Sequence, residues 1–496
     1  MKKSLLWFIV SLVCVSLIST FSFIGCKEEA TSTGEAVEEE TEEVTEEETA
    51  TEDTSAAESA TINVSVLAGW VTTDGLIPAI QDALVSEGVE IVKFEGDGGT
   101  LQDTQMMAGA SGTGEFDAML AWEALMPLMV QYLEPLDDYL IAAGIDIDEL
   151  KARFYPTVVD QITTDGKIYW IPIHANSQLG YARADLFTDP DEQAAFLAEY
   201  GYDLPQPNEI GAISFKDREE FSDVAKFFTR DTDNDGETDL WGYAPAGQGD
   251  HGECVFADML DRQGLEYFDA EGHSLWGPAH PENQEKAIEL LTWMQDLVQK
   301  DKSVSPGTTG MQMTEVNQLY KEGKAAMSFT WNVDFWGENT KPEVMEAWGN
   351  TKPLSWSIDF MNTEPENQGF MSIIGYGLSK DSKNKEATIK FLLKCLDEEL
   401  RKEVHSTVGL PCGSGQIDLT NWLVENNLSP GGYIDAITTV GSFWPVSKTP
   451  WTETSAAREV TRPNLEKLLS GSITPEEFVK ITGDAIEQIM KDAGHF

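Results

Sequence analysis

Thr61-Ile62-Asn63-Val64-Ser65-Val66-Leu67-Ala68-Gly69-Trp70 is the stretch from which the fold can be read. Ile62, Val64 and Val66 alternate with Asn63 and Ser65, the period of a strand with one buried face. The run ends at Ala68-Gly69-Trp70, and a helical pattern follows from Leu76 to Leu84. Val89, Ile91 and the residues up to Phe94 predict a second strand. After a glycine-containing turn at 109–114, Phe116 to Leu120 predicts a third. Strands alternating with helices form parallel βαβ units, so the class is α/β. In such sheets ligands sit beyond the carboxyl ends of the strands. That edge would carry Trp70, Gly96 to Gly99 and Trp122.

Further along, residues 214–229, 282–300 and 387–404 each place apolar side chains on one helical face. The last helix has a clear start. Thr474 can cap it, Pro475 suits the first turn, and Glu477 completes a capping box. No internal repeat of fixed period is present.

The front of the chain obeys other rules. Lys2 and Lys3 precede a largely apolar run from Leu5 to Phe21, and Phe23-Ile24-Gly25-Cys26 closes it. These are the parts of an export signal, residues 1–25. The closing four residues resemble a bacterial lipobox, in which Cys26 becomes the lipidated first residue. An uncleaved anchor helix is the alternative. Either way the rest lies outside the cytoplasm, held at the periplasmic or outer face of a membrane. Residues 27–60 hold 14 Asp or Glu, one Lys, and otherwise mostly Thr, Ser and Ala. Such a chain buries too little apolar surface to offset its ordering entropy, so 26–60 is expected to be a disordered acidic tether.

The formal net charge is −53, of which −42 belongs to residues 61–496. Nucleic acid and anionic lipid heads both need basic surface, so neither is an expected partner. Five cysteines are present. Cys14 and Cys26 belong to the signal, leaving Cys254, Cys395 and Cys412. The odd number requires a free thiol, and a Cys395–Cys412 bridge is open. The 436 residues that follow the tether suit two lobes better than one core.

Four segments, in order, carry a resemblance. Gly166-Lys167-Ile168-Tyr169-Trp170-Ile171-Pro172 runs on to Leu179-Gly180-Tyr181. Tyr320-Lys321-Glu322-Gly323-Lys324-Ala325-Ala326-Met327 precedes Trp331. Gly375-Tyr376-Gly377-Leu378-Ser379-Lys380 precedes Lys383-Asn384-Lys385-Glu386-Ala387. Last comes Leu469-Ser470-Gly471-Ser472-Ile473-Thr474-Pro475-Glu476-Glu477. Together they resemble family 1 extracellular solute-binding proteins, the group that includes maltose-type binding proteins. The resemblance implies a periplasmic-binding-protein type II fold with two discontinuous lobes, 61–173 with 330–405 and 174–329 with 406–496. It implies a monomer whose lobes close by a hinge over a mono- or oligosaccharide, and permease subunits of an ABC importer as partners. It implies binding without catalysis. Ala182-Arg183, His174 and Asn176 depart from the pattern, so no particular ligand is carried over.

Sugars offer apolar faces to flat rings and hydroxyls to carboxylates and amides. The ring candidates are Trp70, Trp122, Trp241, Trp331, Trp444 and Trp451. Trp170 and Trp276 also lie in or beside predicted loops. Each is equally well explained as core packing. The polar candidates are Glu95, Asp97, Glu123, His174, Asn176 and Asp334. Arg458 could instead face an acidic ligand, which keeps uronates open. Separately, Asp231-Thr232-Asp233-Asn234-Asp235-Gly236-Glu237-Thr238-Asp239 matches the start of an EF-hand-type loop. Its carboxylates at Asp231, Asp233, Asp235, Glu237 and Asp239 could converge on a structural Ca2+, although Gly242 stands where the usual bidentate Glu would be. An acidic surface turn is the plain alternative. No HExxH, P-loop or nucleophile elbow occurs. An extracellular carbohydrate-active enzyme and a surface adhesin remain as rival readings.

Overall fold

The computed structural model describes residues 59–68, 71–123, 125–265, 267–357, 360, 371–408, 413–430 and 451–496. Cys26, Cys412, Trp70 and Trp444, named above, lie outside these residues.

The alternation at Ile62, Val64 and Val66 forms β1 (Ala60–Leu67), with all three side chains buried. After α1 (Val71–Val85) the chain returns as β2 (Val89–Gly96), parallel to β1 in full register from Ala60↔Val89 to Leu67↔Gly96. Asp97 caps α2 (Gly98–Ser111) by accepting from the Thr100 amide at 2.9 Å, and Gly112 ends it at φ +63°. β3 (Ala118–Trp122) then lies on the other side of β1. Two successive βαβ steps thus bring Leu67, Gly96 and Trp122 to one sheet edge.

The strand that organises everything else is β4 (Ile171–Ala182), buried along all its length. Five more strands meet it directly or through a neighbour: β5 (Ala212–Ile213), β6 (Trp241–Pro245), β7 (Ala325–Trp331), β8 (Leu354–Trp356) and β9 (Met371–Leu378). Residues 171–177 of β4 pair with β9, giving a first lobe ordered β2-β1-β3-β9-β4. Residues 178–182 pair with β7 on one side and residues 180–182 with β8 on the other, giving a second lobe ordered β5-β8-β4-β7-β6. The fold is therefore α/β and two-lobed, and one strand belongs to both lobes.

The lobe boundaries differ from the sequence expectation. Residues 174–177 stay in the first lobe, because their ladder is with β9. Residues 330–356 belong to the second, because β8 pairs with Gly180, Tyr181 and Ala182. Arg183 ties the intervening chain to the same lobe by stacking 3.6 Å over Trp348. Residues 413–425 return to the first lobe, where the Gly413 carbonyl accepts from Ala175 N at 2.7 Å. The expected helix over 387–404 is two: α3 (Lys385–Cys395) and α4 (Glu398–Val408). Asp397 breaks it by accepting from the Leu400 amide at 3.1 Å, which starts a new helix. The second lobe is completed by α5 (Gly249–Arg262), α6 (Pro281–Gln299), α7 (Thr454–Leu469) and α8 (Pro475–Asp492), the last with the Thr474–Glu477 capping box in place. Cys254 and Cys395 are buried free thiols, so Cys395 is not bridged.

Trp356 lies flat on β4 and heads an aromatic cluster with Phe215, Phe221, Tyr243 and Phe329. It fits only because residue 180 lacks a side chain, since a Cβ there would stand 1.9 Å from the ring. Gly180→Ala is expected to cost about 1–3 kcal/mol in urea unfolding by overpacking. Gly310→Ala, where a Cβ meets nothing within 4 Å, should stay within about 0.5 kcal/mol. Equal stability for the two variants would contradict this packing.

Candidate functional site

The ends of β1, β2 and β3 meet the start of β9 and the middle of β4 at one edge. Trp122 at the end of β3 pairs with Ile374, and Asn176 of β4 pairs with Ser372. Glu123 follows Trp122 directly. Only 4 % of it is exposed, and its Oε2 accepts from Ser372 Oγ. Beside it lies a cavity of about 340 Å3, at the small end of ligand pockets. Its walls include Met126 and the buried ring of Trp170, with Glu123, Gln161 and Thr163 as polar groups. Thr452, next to α7 of the second lobe, closes it from the other side. An apolar wall with a few convergent polar groups suits a small hydroxylated molecule.

Burial lifts the Glu123 carboxyl to about 7, although the positive charge of Arg458 and the Ser372 hydroxyl pull it down. Arg458 itself comes from α7. Its Nε donates to Glu253 Oε2 at 2.5 Å, and its Nη2 lies 3.5 Å from Asp250 and 3.1 Å from Cys254 Sγ. Glu253 is fully buried and also accepts from Tyr267 Oη at 2.7 Å. The guanidinium thus fills the space between three groups that would otherwise be spaced to hold a metal.

The other sequence candidates have these positions. Trp331 ends β7 in register with Gln178, buried near the crossing. His174 is only 1 % exposed, and burial, with Arg401 and His405 nearby, holds its imidazole well below the usual value, so it is neutral. Glu95 is exposed, is not among the residues that line the cavity, and pairs with Lys93 at 2.9 Å. Asp97 serves as a helix cap, and the Asp334 side chain lies outside what is described. Trp241 is not at the cleft. It begins β6 opposite Ala325, six residues from Trp331, or about 20 Å along the strand. Trp451 packs within the second lobe, donating to the Asp269 carbonyl at 3.3 Å against Phe268 and His495. Asp160, Gln161, Thr163 and Ser372 were missed. They sit in stretches without a ring or a motif, and only the fold brings them to Glu123.

In the acidic loop, Asp231, Asp233 and Asp239 bring carboxylate oxygens within 4.8 Å of one another. Asp231 also accepts from the amides of Asn234 and Gly236, at 2.6 and 2.8 Å. Gly236 turns the chain at φ +97°. Asp235 and Glu237 stand outside this cluster, and Asp235 instead accepts from the Glu237 amide at 2.8 Å. Gly242 lies in β6 and donates to Thr229 Oγ1. Three carboxylates around a glycine turn fit a hard cation with oxygen preference.

Residues 73–398 match the family described as bacterial extracellular solute-binding protein. No curated protein sequence matches the chain. Among solved structures, a maltose-bound T. maritima protein shares 16 % identity at a TM-score of 0.65, covering 87 % of this chain and 100 % of its own. A solute-binding protein of Agrobacterium vitis S4 with D-mannitol shares 17 % at a TM-score of 0.67, over 88 % and 99 %. The maltose/maltodextrin-binding domain of Bdellovibrio bacteriovorus with maltotriose shares 19 % at 0.63, over 87 % and 100 %. These likenesses establish the fold.

Glu123 has a stability consequence. Its folded value near 7 lies above the ordinary 4.5, so the native state holds the proton that the unfolded chain releases between those values. Stability from this group is full below about pH 4.5 and is lost as pH rises through about 7. Glu123→Gln should therefore unfold like the parent at pH 4.5 and be more stable at pH 8, by no more than about 3 kcal/mol. Urea midpoints at the two pH values check this, and a constant offset would contradict it.

Proposed function

The chain belongs to the bacterial extracellular solute-binding proteins, and from that premise we propose that it is the binding component of an ABC importer for a carbohydrate or polyol. The ligand is held in the cleft beside Glu123, and the lobes close over it by a hinge at the shared strand β4. The observation that carries this reading is the cavity itself. It joins the Trp170 ring, hydroxyls and a buried carboxyl of one lobe to Thr452 of the other. The bound maltose, maltotriose and D-mannitol of the structural neighbours support the same ligand class. The polar pattern of the cavity supports it independently. In this reading Cys26 carries a lipid anchor, and the acidic stretch to residue 60 spaces the domain from the membrane.

Ligand that binds only the folded protein raises the unfolding midpoint by mass action, by about 2.7 kcal/mol at 100 times Kd. A thermal-shift series with maltose, maltotriose and D-mannitol should show such a rise for at least one, and Glu123→Ala should weaken the affinity for that ligand at least about tenfold. Ligand recovered unchanged supports binding, whereas shortened products would indicate a hydrolase. No rise with any carbohydrate or polyol would sink the proposal.

The loop at Asp231–Asp239 acts as a structural calcium site in the second lobe. The support is its carboxylate spacing and glycine turn. Millimolar CaCl2 should raise the midpoint where NaCl of equal ionic strength does not, and Asp231→Asn should abolish the rise. A rise that survives the substitution would place the cation elsewhere.

A further inference from the structure

The charges at the cleft are one-sided. Glu123, Asp160 and Asp165 line the cavity, and among the described lining residues there is no lysine, arginine or histidine. The other polar walls, Gln161, Thr163, Thr164 and Thr452, are neutral. Asp160 and Asp165 are exposed at the mouth, where water and salt screen them. Glu123 is buried, so its charge or its proton weighs most.

The positive charge that weighs most on Glu123 is that of Arg458. It is not available to an incoming anion. Arg458 is 8 % exposed and is held by Glu253 at 2.5 Å and Asp250 at 3.5 Å. Drawing it away would leave Glu253 buried without its counter-charge, a larger loss than a ligand carboxylate returns. Arg462, the next guanidinium on α7, is tied to Asp250 and Glu459. The acidic-ligand role open to Arg458 in the sequence is thus already filled by the protein's own carboxylates.

A ligand hydroxyl can donate to Glu123 or accept from it once it is protonated, and can pair with Gln161 or the threonines. A ligand carboxylate meets a buried acid and, among the described lining residues, only the neutral donors of Gln161 and the threonines with no positive charge to balance it. We infer that this cleft selects uncharged polyhydroxylated solutes and turns away their carboxylate counterparts, with Glu123 as the side chain that sets the discrimination. The inference rests on the cleft being the carbohydrate site proposed above.

The test is calorimetric titration of the full protein with matched pairs, maltose against maltobionate and D-mannitol against D-mannonate, at pH 8. The neutral member of at least one pair should bind at least about tenfold more tightly than its acid. In Glu123→Gln, which should fold well at this pH, that gap should shrink several-fold. In Asp160→Asn it should shrink only at low salt. Acids binding as tightly as neutral members would overturn the inference and leave the carbohydrate reading standing. So would a gap unchanged in Glu123→Gln. Binding of neither member would overturn both.

Discussion

Every other feature depends on the backbone pairing of β4. Its twelve residues are all buried, and buried amides and carbonyls must find partners. They find them in two places: β9 for the first half, β7 and β8 for the second. The lobes are therefore joined by a continuous ladder as well as by chain. Opening the cleft has to bend or twist this strand, because pulling the lobes apart would strand its hydrogen bonds in the core. The cost of such orphaned groups, about 1–3 kcal/mol each, favours a hinge over separation. The composition of β4 fits this position. A strand covered on both faces is usually an apolar run, yet His174, Asn176, Ser177 and Gln178 occupy its middle. Polar side chains tolerated there mark the place where two cores end and a cleft begins.

The parts of the fold that were legible in the sequence are those set by local physics. The alternation at Ile62, Val64 and Val66, and the Thr474–Glu477 box, needed no tertiary information. What failed needed it. The crossing was expected at 173/174, and no local signal in Ile171–Ala182 says that its ladder changes partner only after Ser177. Asp397 looked like one more polar residue on a helical face, until its side chain took the Leu400 amide. Trp241 looked like a loop ring at a strand start. Parallel pairing with β7 put that start at the far end of the lobe.

The site shows the same division. Glu123 could be named because it follows a strand end and sits beside a tryptophan. Ser372, which holds it, is 249 residues away, and Asp160 and Gln161 reach the cavity only through packing. Net charge was of no use here. A chain at −53 says little about any one pocket, whereas the pairing of Arg458 with Glu253 decides which charges the pocket has left. Cys254 lies close to the same cation, yet burial outweighs Arg458 and pushes its thiol well above the ordinary value.

The central claim is that one ligand is gripped from both lobes at this cleft. Hydrogen–deuterium exchange of the protein with and without a saturating neutral sugar or polyol tests it most directly. The account predicts slower exchange in three segments together: the stretch after β3 at 125–130, the stretch 160–165, and the entry to α7 at 452–458. Protection confined to one lobe, or located away from all three, would contradict it.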